Sequence, residues 1–470
     1  MSIHRGHFQG AMLAHERIHF IGIGGIGMSG IASILKKQGY RISGSDVKES
    51  AITQKLLSEG ILVFLGHNPL HMGDAKIVVY SSAIREDNPE LVAARNRGMV
   101  VMRRAQALAE LMQEKTCIAV SGAHGKTTTT ALTSHVLLQS GFYPTVAIGG
   151  ILRNLEDNCC VGESEFFVAE ADESDGTFLY YMPDYPIITN IDREHLDYYH
   201  SWQEILDAYT QFISHTKDKG CLFCCGDDPA IRQITAGYKG RIVYFGLSSH
   251  NDYHPQDIRL NGFSSQFSCC HKDKILGKIT LPLAGEHNIS NSLAVIALGK
   301  ELGIADEDIV SALSTFKGTQ RRFQLKAEHN GIKIIDDYGH HPTEIRATLQ
   351  AAKNVASQRL IVVFEPHRYS RTQFLMDEFV DSFQLADCVV LTDIYAASEN
   401  PIEGVSSEAL YKRIKLKFPS VNVVYLAKEK IVAYVLDMLK PGDVVLTVGA
   451  GDIGKLSDEL VHRITCENTL

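Results

Sequence analysis

The first hundred residues alternate short apolar runs with segments of helical periodicity. Arg17 to Ile23 and Lys76 to Tyr80 are short and apolar, which favours strands. Met28 to Lys37 has the apolar spacing of a helix and lies between glycine-rich turns. Because strands that alternate with helices usually form βαβ units, this segment predicts a parallel sheet with crossover helices.

The same alternation starts again after residue 110 and once more near Ile332. The middle series opens with a predicted strand at Thr116 to Val120 and a helix through Leu138, and further strands are expected at Glu165 to Ala169 and Pro186 to Asn190. The last series contains five predicted strands: Lys333 to Ile335, Leu360 to Phe364, Cys388 to Leu391, Val421 to Tyr425 and Val444 to Val448. A chain of 470 residues is long for a single core. We therefore predict an α/β protein of three domains: a Rossmann-like domain at 1–110, a central domain like P-loop ATPases at 111–320, and a second Rossmann-like domain at 321–470.

Composition and charge exclude several classes of protein. A hydrophobic fraction of 45% and a charged fraction of 21% are those of an ordinary globular protein. The formal net charge of -9 opposes the extended basic surface that nucleic acids or anionic lipids require. The sequence contains no run of eighteen apolar residues and no apolar N-terminal signal, so neither a membrane span nor secretion is predicted. Nothing in the pattern specifies an oligomeric state.

The cysteines indicate a reducing compartment. Cys159-Cys160, Cys224-Cys225 and Cys269-Cys270 are adjacent pairs, and sequence neighbours do not normally form a disulfide framework. Cys221 and Cys224 make a CxxC spacing inside a strand-like run, without a second pair to complete a zinc site. We predict buried strand cysteines and a cytoplasmic location.

A glycine motif follows the first predicted strand. Gly22, Gly24 and Gly27 form GxGxxG, and Asp46 follows at the expected end of the second strand. Such glycines let the backbone approach a pyrophosphate at a helix N-terminus, and any nucleotide diphosphate presents that group. From the spacing, a nicotinamide cofactor, another nucleotide diphosphate and a purely structural turn remain alternatives.

The same glycine spacing recurs near the C-terminus at Gly449, Gly451 and Gly454. Too few residues follow for a complete βαβ unit with a ribose-binding acid. We predict a strand-to-helix turn of the third domain.

The segment from Gly122 to Thr128 has the parts of a phosphate-binding loop. A strand leads in, two glycines permit a ring of backbone N–H groups, Lys126 supplies a mobile cation, and Thr127 offers a hydroxyl to magnesium. The pattern departs from GxxxxGK[ST], because Val120 takes the place of the first glycine. The alternative is a glycine turn that merely precedes Lys and Thr. We predict that ATP is bound by Gly122, Ala123, His124, Gly125, Lys126, Thr127 and Thr128.

Magnesium that bridges phosphates needs oxygen ligands, usually with a carboxylate from a neighbouring strand. Glu170 ends an apolar strand and opens the acidic cluster of Glu170, Asp172, Glu173 and Asp175. We rank Glu170 above the other acids, each of which would more often be a solvated turn residue. His195 is the second candidate ligand, and imidazole would make the site tolerant of Mn²⁺.

Taken together, these motifs resemble those of the Mur ligase family from about residue 17 onward, and most closely its alanine-adding branch. The segments that carry the resemblance are His19 to Met28, Gly122 to Thr130, Glu170 to Asp175, Gly285 to Asn291, Arg321 to Phe323, Asp336 to Glu344 and Pro366 to Thr372. The resemblance implies an enzyme that uses ATP and Mg²⁺ to join L-alanine to UDP-N-acetylmuramate through an acyl phosphate, in cytoplasmic peptidoglycan precursor synthesis.

The resemblance also implies roles for individual residues. The first glycine loop would bind the UDP-sugar instead of a nicotinamide cofactor, through Gly22, Gly24, Gly25, Gly27, Asp46, Ser82 and Arg104. Thr127, Glu170 and His195 would hold metal ions, and His287 with Asn288 matches the adenine-contacting segment. The residues implied to meet the reacting phosphate and amino-acid groups are Lys126, Arg322, His341, Arg368 and Arg371.

The sequence departs mildly from the family pattern at three positions. Ala123 stands where threonine is usual, Glu194 precedes His195 in place of aspartate, and Glu365 replaces glutamine. Simpler roles also remain open for the supporting residues. His341 could cap the helix that starts after Pro342, and Arg368 and Arg371 could be solvated charges at a strand end.

Three competing functions are left. A sister ligase would attach a recycled tripeptide to the same sugar nucleotide. A nicotinamide oxidoreductase would account for the Gly22 loop but leave Lys126 and Glu170 unexplained. A nucleotide-dependent switch would keep Lys126 but give no reason for the groups at Arg322 and His341.

Overall fold

The computed structural model describes residues 16–81, 83–272, 274–397 and 399–466. Its contacts divide the chain into two compact units. One comprises the residues up to His254 together with Asn291–Ala312, and the other comprises Pro255–Ser290 and the residues from Leu313 onward. The chain has a three-domain α/β fold, as the sequence predicts, with mostly parallel sheets and helices between their strands. The domain boundaries near residues 110 and 320 stay predictions.

The first sheet is parallel throughout, which confirms the expected βαβ organisation. Its strands are β1 (Arg17–Ile21), β2 (Arg41–Asp46), β3 (Leu62–Leu65), β4 (Ile77–Tyr80) and β5 (Val100–Arg103). Its helices are α1 (Ile26–Lys37), α2 (Ala51–Ser58), α3 (Pro89–Asn96) and α4 (Arg104–Met112). The strand order is β3-β2-β1-β4-β5. The first strand ends two residues earlier than predicted, because Gly22 adopts a φ of +79° and turns the chain into the glycine loop.

A buried carboxylate ties this sheet to the loop after β3. Glu90, on α3, is fully buried. Its Oε1 accepts a hydrogen bond from the Asn68 N–H at 3.0 Å and lies 2.9 Å from Nδ1 of His71. Its Oε2 accepts a hydrogen bond from the Ser45 hydroxyl and lies 3.5 Å from Nε2 of His19. Burial opposes ionisation, but the hydrogen bonds from His19 and Ser45 outweigh it and lower the pKa of Glu90 to about 2.

We expect acid to destabilise this first unit through Glu90. Its folded-state pKa lies below the ordinary 4.5, so the unfolded chain binds the proton more tightly. Ionised Glu90 therefore stabilises the fold above pH 4.5 by about 3 kcal/mol, and this contribution disappears as the pH falls towards 2. The pKa of buried His19 is also lowered, chiefly by burial, and this shift acts in the same direction.

The measurement is urea unfolding of the Glu90→Gln variant and the wild type between pH 7 and pH 3. The variant should lose most stability at pH 7, and the difference should shrink below pH 4.5. Glu114→Gln, at an exposed position after α4, is the matched control. A loss of stability that is independent of pH would contradict the assignment.

The central sheet carries the phosphate loop. Its strands in the first unit are β6 (Thr116–Ser121), β7 (Thr145–Leu152), β8 (Asp157–Cys160), β9 (Phe166–Glu170), β10 (Tyr185–Ile188), β11 (Cys221–Cys225) and β12 (Arg241–Phe245). Its helices are α5 (Lys126–Gln139), α6 (Leu196–Tyr199), α7 (Trp202–Ser214) and α8 (Pro229–Thr235), with a 3₁₀ turn at Thr177–Tyr180. The order is β12-β11-β10-β6-β9-β7-β8, and only the β7–β8 pair is antiparallel among these strands. Because β6 lies between β10 and β9, the loops that follow these three strands meet at one edge of the sheet.

The prediction of buried strand cysteines is confirmed. Cys221 and Cys224 lie in the fully buried strand β11, as predicted, and the ten cysteines are free thiols. Within the described parts of the chain, no helix is long and apolar enough to cross a bilayer.

The chain then passes through β13 (Tyr253–Asn261), β14 (Ser264–His271), β15 (Lys274–Leu281), α9 (Glu286–Glu301) and α10 (Asp306–Ser314). In the second unit, β14 and β15 form an antiparallel hairpin.

The third sheet is doubly wound, as predicted. Its strands are β16 (Gln324–His329), β17 (Ile332–Asp337), β18 (Leu360–Phe364), β19 (Cys388–Leu391), β20 (Asn422–Tyr425) and β21 (Val444–Val448), in the order β16-β17-β21-β18-β19-β20. Its helices are α11 (Pro342–Lys353), α12 (Tyr369–Phe374), α13 (Met376–Asp381), α14 (Ser407–Lys417), α15 (Lys428–Met438) and α16 (Gly454–Cys466). Neighbouring residues such as Ile334 and Ile335 enter separate hydrophobic clusters, because successive side chains point to opposite faces of the sheet. The glycines between β21 and α16 form the predicted strand-to-helix turn.

Candidate active site

Two glycines shape the loop between β6 and α5. Gly122 has a φ of +135°, and a Cβ there would lie 2.1 Å from Oγ1 of Thr189. Gly125 has a φ of +83°, and a Cβ there would lie 2.8 Å from Oδ1 of Asn291. Both positions therefore require glycine, as the loop pattern implies. The sequence reasoning misses Asn291, although this residue ends the Gly285 to Asn291 segment, because only His287 and Asn288 are assigned a role there.

The middle of the loop is held by the residues after β10. The His124 N–H donates to Oδ1 of Asn190 at 2.8 Å, and the His124 carbonyl accepts from Thr189 Oγ1 at 2.6 Å and from Asn190 Nδ2 at 2.9 Å. Nε2 of His124 lies 2.9 Å from Oδ2 of Asp192. His124 thus fixes the loop through its own backbone, and its contact with ATP stays a prediction.

Lys126 is the first residue of α5, and its ammonium group is enclosed by the loop and an acid. Nζ donates to the Gly122 carbonyl at 2.7 Å and to Oε1 of Glu173 at 2.8 Å. Burial would lower the pKa of Lys126, but the charges of Glu173, Asp172 and Glu170 outweigh it and keep the pKa above its ordinary value. The side chain is therefore a positive charge at the mouth of the loop at neutral pH.

Glu173, which the sequence reasoning ranked below Glu170, is the acid that contacts Lys126. It is buried, and burial raises its pKa to about 7, with the like charge of Asp172 adding to the effect and Lys126 opposing it. Its Oε2 is buried and has no hydrogen-bond partner among the described residues. Sequence position alone could not separate Glu173 from its acidic neighbours, because the distinction comes from the approach of Lys126.

Glu170 and Thr127, two of the predicted metal ligands, both pack against a pair of glycines on β7. The Gly149 N–H donates to Oε2 of Glu170 at 3.0 Å, and a Cβ on Gly149 would lie 2.7 Å from that oxygen. A Cβ on Gly150 would lie 2.9 Å from Cγ2 of Thr127. The glycine pair leaves the room that these two side chains fill, at the carboxyl edge of neighbouring strands.

The third predicted ligand, His195, lies beside two other acids. One ligand atom from each of His195, Glu173 and Glu194 lies within 4.8 Å of the others. Nε2 of His195 is 3.7 Å from Oε1 of Glu173 and 3.6 Å from Oε2 of Glu194. His195 has a φ of +57°, a strained backbone of the kind that clusters at functional sites. Two carboxylates, one with an orphaned buried oxygen, and an imidazole fit a divalent cation. The sharing of a metal between Glu170 and His195 stays a prediction.

The first glycine loop uses its acid differently from a dinucleotide site. Oδ2 of Asp46 accepts a hydrogen bond from the Gly24 N–H at 2.9 Å, which holds the loop in place. Nη1 of Arg104 would lie 3.0 Å from a Cβ on Gly27. Gly25 is the residue that precedes α1 and is its N-cap. Ser82, also expected here, lies outside the described residues.

In the second unit, Arg322 and His341 both lie at the start of α11. The Arg322 guanidinium lies 5.1 Å from the ring centre of Tyr338, and its Nη1 lies 3.8 Å from Oε1 of Glu344. Nδ1 of His341 accepts a hydrogen bond from the Thr343 N–H at 3.3 Å. His341 therefore caps the helix, the simpler role left open above, and any contact with substrate stays a prediction.

Arg368 and Arg371 lie at the start of α12. Arg368 is the residue before the helix and has a φ of +70°. Nη1 of Arg371 lies 3.1 Å from Nδ1 of His367. Burial, with the charges of Arg371 and Arg368, lowers the pKa of His367 to about 4, so this imidazole is neutral at pH 7.

The second glycine loop is clamped by a residue that the sequence reasoning missed. Arg321 donates from Nη2 to the Gly449 carbonyl at 2.7 Å, from Nη1 to the Gly451 carbonyl at 3.0 Å, and from Nε to Oδ2 of Asp336 at 3.0 Å. The family resemblance implies a role only for its neighbour Arg322. Tertiary contacts show that Arg321 is the structural member of the pair.

A buried acid holds the other side of that loop. Glu365 is fully buried, forms an ion pair with Lys428 and accepts a hydrogen bond from the Ile453 N–H at 3.3 Å. Lys428 also pairs with Asp452. The family's usual glutamine at this position would need no cation, so Glu365 and Lys428 act as a matched pair here.

The predicted adenine-contacting residues begin α9. His287 is exposed, whereas Asn288 is buried and donates from Nδ2 to the Ala284 carbonyl at 2.8 Å. That bond stabilises the first turn of the helix. Adenine contact by either residue stays a prediction.

A three-domain α/β fold with a lysine-bearing phosphate loop and an adjoining set of metal-type ligands defines a nucleotide-dependent enzyme class. Three family models cover most of the chain: "Mur ligase family, catalytic domain" at residues 17–116, "Mur ligase middle domain" at residues 120–299 and "Mur ligase, glutamate ligase domain" at residues 321–451. The chain belongs to the Mur ligase family.

Individual relatives narrow the resemblance within the family. A UDP-N-acetylmuramate--L-alanine ligase from Geobacter sp. (strain M21) is 47% identical over 96% of this chain and 98% of its own. The solved UDP-N-acetylmuramate-alanine ligase from Thermotoga maritima is 31% identical with a TM-score of 0.82, covering 96% of this chain and 100% of its own. A murein peptide ligase from Psychrobacter arcticus 273-4 shares the fold at 24% identity and a TM-score of 0.70, covering 96% of this chain and 99% of its own.

Proposed function

We propose that the protein joins L-alanine to UDP-N-acetylmuramate with hydrolysis of ATP to ADP and phosphate, in peptidoglycan precursor synthesis in the cytoplasm. The observation that carries the proposal is the grouping of Lys126 with Glu173, Glu194 and His195 at the end of the phosphate loop. A cation beside a metal-binding set is what activation of a carboxylate by ATP requires. The 47% identity to an alanine-adding ligase over almost the whole chain supports this substrate pair.

A carboxylate and an amine form a salt at neutral pH, so a carboxylate oxygen must first become a leaving group. In the proposed first step, an oxygen of the lactyl carboxylate attacks the γ-phosphorus of ATP. The new O–P bond forms as the bond to the β-γ bridging oxygen breaks, and ADP leaves. Two anions approach each other here, so the protein's work is to position them and to stabilise charge.

Lys126 supplies the cation for that step. Its ammonium already lies at the loop carbonyls and is neutralised by Glu173, so an incoming phosphate takes the place of that carboxylate. Thr127, Glu170, His195, Glu173 and Glu194 are the residues that would hold Mg²⁺, with Mn²⁺ tolerated because of the imidazole. Bound magnesium neutralises phosphate charge and polarises the γ-phosphoryl group.

The second step forms the amide. The neutral amine of L-alanine attacks the acyl carbon and the C–N bond forms. The C–O bond between the acyl carbon and the phosphate then breaks, phosphate leaves with the electron pair, and the nitrogen releases a proton to water. Arg322, Arg368 and Arg371 are the cations of the second unit that we assign to phosphate and amino-acid carboxylate groups. The imidazole of His367 beside Arg371 is neutral at pH 7 and adds no charge next to that arginine.

The test is ADP release measured while UDP-N-acetylmuramate, L-alanine or magnesium is omitted in turn. We expect full turnover only with all three, and phosphate release with free L-alanine as the amine substrate. Turnover with the tripeptide but not with L-alanine would favour the sister ligase. ATP binding without turnover would favour a nucleotide switch, and an absorbance change on supplying NADH would favour an oxidoreductase.

A further inference from the structure

Arg104, at the start of α4, lies between the first glycine loop and the acidic segment that follows β9. Its Nη1 would lie 3.0 Å from a Cβ on Gly27, the last glycine of the first loop. Its Nη2 lies 3.8 Å from Oδ2 of Asp172 in the acidic segment that follows β9. Asp172 directly precedes Glu173, the acid that contacts Lys126. One guanidinium thus connects the proposed sugar-nucleotide loop with the acids beside the phosphate loop.

A second element joins the same two regions. The β7–β8 hairpin contacts α1 through β8, where Asn158 Nδ2 donates to the Ile26 carbonyl and a Cβ on Gly30 would lie 3.4 Å from Cβ of Cys159. In the same part of the hairpin, Gly149 of β7 donates its N–H to Glu170. The helix that follows the first glycine loop is therefore packed onto the strand that positions a metal ligand.

We propose that Arg104 is a positioning residue that couples diphosphate binding at the first glycine loop to divalent-cation binding at the acidic segment. This inference rests on the proposed function, because it takes the first loop to bind the diphosphate of the sugar nucleotide. Without a diphosphate, Arg104 is held by Asp172 and places a positive charge beside the metal-type ligands. A diphosphate at the start of α1 competes with Asp172 for the guanidinium, which already lies beside Gly27.

The sign of the coupling follows from charge. Pairing of the guanidinium with the diphosphate withdraws its positive charge from the acidic segment, so that the metal-type ligands beside Asp172 hold a divalent cation more tightly. Linkage requires the reciprocal effect, so the cation must tighten diphosphate binding by the same factor. The arrangement favours a magnesium-loaded site only when the sugar nucleotide is present.

The experiment measures the affinity of the full chain for Mn²⁺ by electron paramagnetic resonance, with and without saturating UDP. The UDP–manganese complex that forms in solution is common to all variants and is measured without protein. We expect UDP to tighten Mn²⁺ binding to the wild type about tenfold. In Arg104→Met, UDP should leave the affinity for Mn²⁺ nearly unchanged, and Arg104→Lys should recover part of the tightening.

Asp172→Asn should also reduce the tightening of Mn²⁺ binding by UDP. The double variant Arg104→Met/Asp172→Asn should lose no more of this coupling than either single variant, because both substitutions remove the same contact. Arg95→Met is the matched control, since Arg95 pairs with Glu86 elsewhere in the same sheet domain and should keep the wild-type factor. Wild-type coupling that persists in Arg104→Met would overturn the proposal, as would a wild type that ligates alanine without any coupling. A wild type that neither binds UDP nor ligates alanine would overturn the proposed function as well.

Discussion

Replacing Lys126 by methionine is expected to lower kcat for ligation between about a hundredfold and ten-thousandfold, with little effect on folding. The ammonium lies at the mouth of the phosphate loop, 2.7 Å from the Gly122 carbonyl, where the proposed reaction would develop charge on the transferring phosphoryl group. A preorganised cation of this kind supplies about 3 to 5 kcal/mol of transition-state stabilisation. Methionine keeps the length of the side chain and removes the charge.

The fold should tolerate the change because Glu173 can take up a proton. Its pKa is already raised to about 7, so loss of Lys126 leaves a neutral acid and no isolated buried charge. Adding Glu173→Gln to Lys126→Met should therefore leave stability unchanged and restore no activity. The measurement is steady-state ADP release together with thermal unfolding.

Lys115→Met is the matched control for this experiment. Lys115 precedes β6, the strand that leads into the phosphate loop, and its Nζ donates to the Ser164 carbonyl at 2.8 Å, away from that loop. It should retain wild-type kcat. Unchanged ligation in the Lys126 variant would exclude the role that we assign to that side chain.

Gly122→Ala should lower kcat/KM at least about a hundredfold and destabilise the first unit. A methyl group at this position would lie 2.1 Å from Oγ1 of Thr189, and the φ of +135° is one that L-residues rarely adopt. The loop must shift to relieve the contact, and a displacement of about 1 Å in a positioning element costs about two orders of magnitude in rate. Ligation kinetics and the urea midpoint would measure the two effects.

Gly141→Ala is the control that separates the steric clash of an added methyl group from the strain of a positive φ. Gly141, after the end of α5, also has a positive φ, of +78°, but nothing lies within 4 Å of the added Cβ. Its cost should be limited to about 1 kcal/mol of backbone strain, with normal ligation. Removing the hydroxyl in a Gly122→Ala/Thr189→Ala double variant should recover part of the stability. A fully active Gly122→Ala would show that the loop geometry does not limit the reaction.

The sequence was sufficient for the elements and for the loops between them. Three strands of the last sheet have the predicted bounds: Leu360 to Phe364, Cys388 to Leu391 and Val444 to Val448. Short, wholly apolar runs between turns leave little choice of where a strand begins and ends. Elsewhere the predicted bounds shifted by one or two residues, as at the strand Phe166–Glu170, since periodicity does not reveal the last ladder hydrogen bond.

Side-chain partnerships were harder to predict than the elements. Glu173, Asn291 and Arg321 each acquire their roles from residues that are distant in sequence or from one of two similar neighbours. Glu170 was favoured over Glu173 because it ends a strand, and the structure shows both in the acidic segment with different partners. A local pattern indicates that a site exists, whereas the choice among adjacent acids depends on which cation the fold brings near.

The pairing of Lys126 with Glu173 has a consequence for selectivity among cellular anions. A small free anion such as inorganic phosphate must displace a buried carboxylate to reach the ammonium and gains few other contacts in return. A magnesium-bound nucleotide brings its own cation to the displaced carboxylate and fills the loop as well. We therefore expect inorganic phosphate, a product of the proposed reaction, to compete poorly with the nucleotide for this loop.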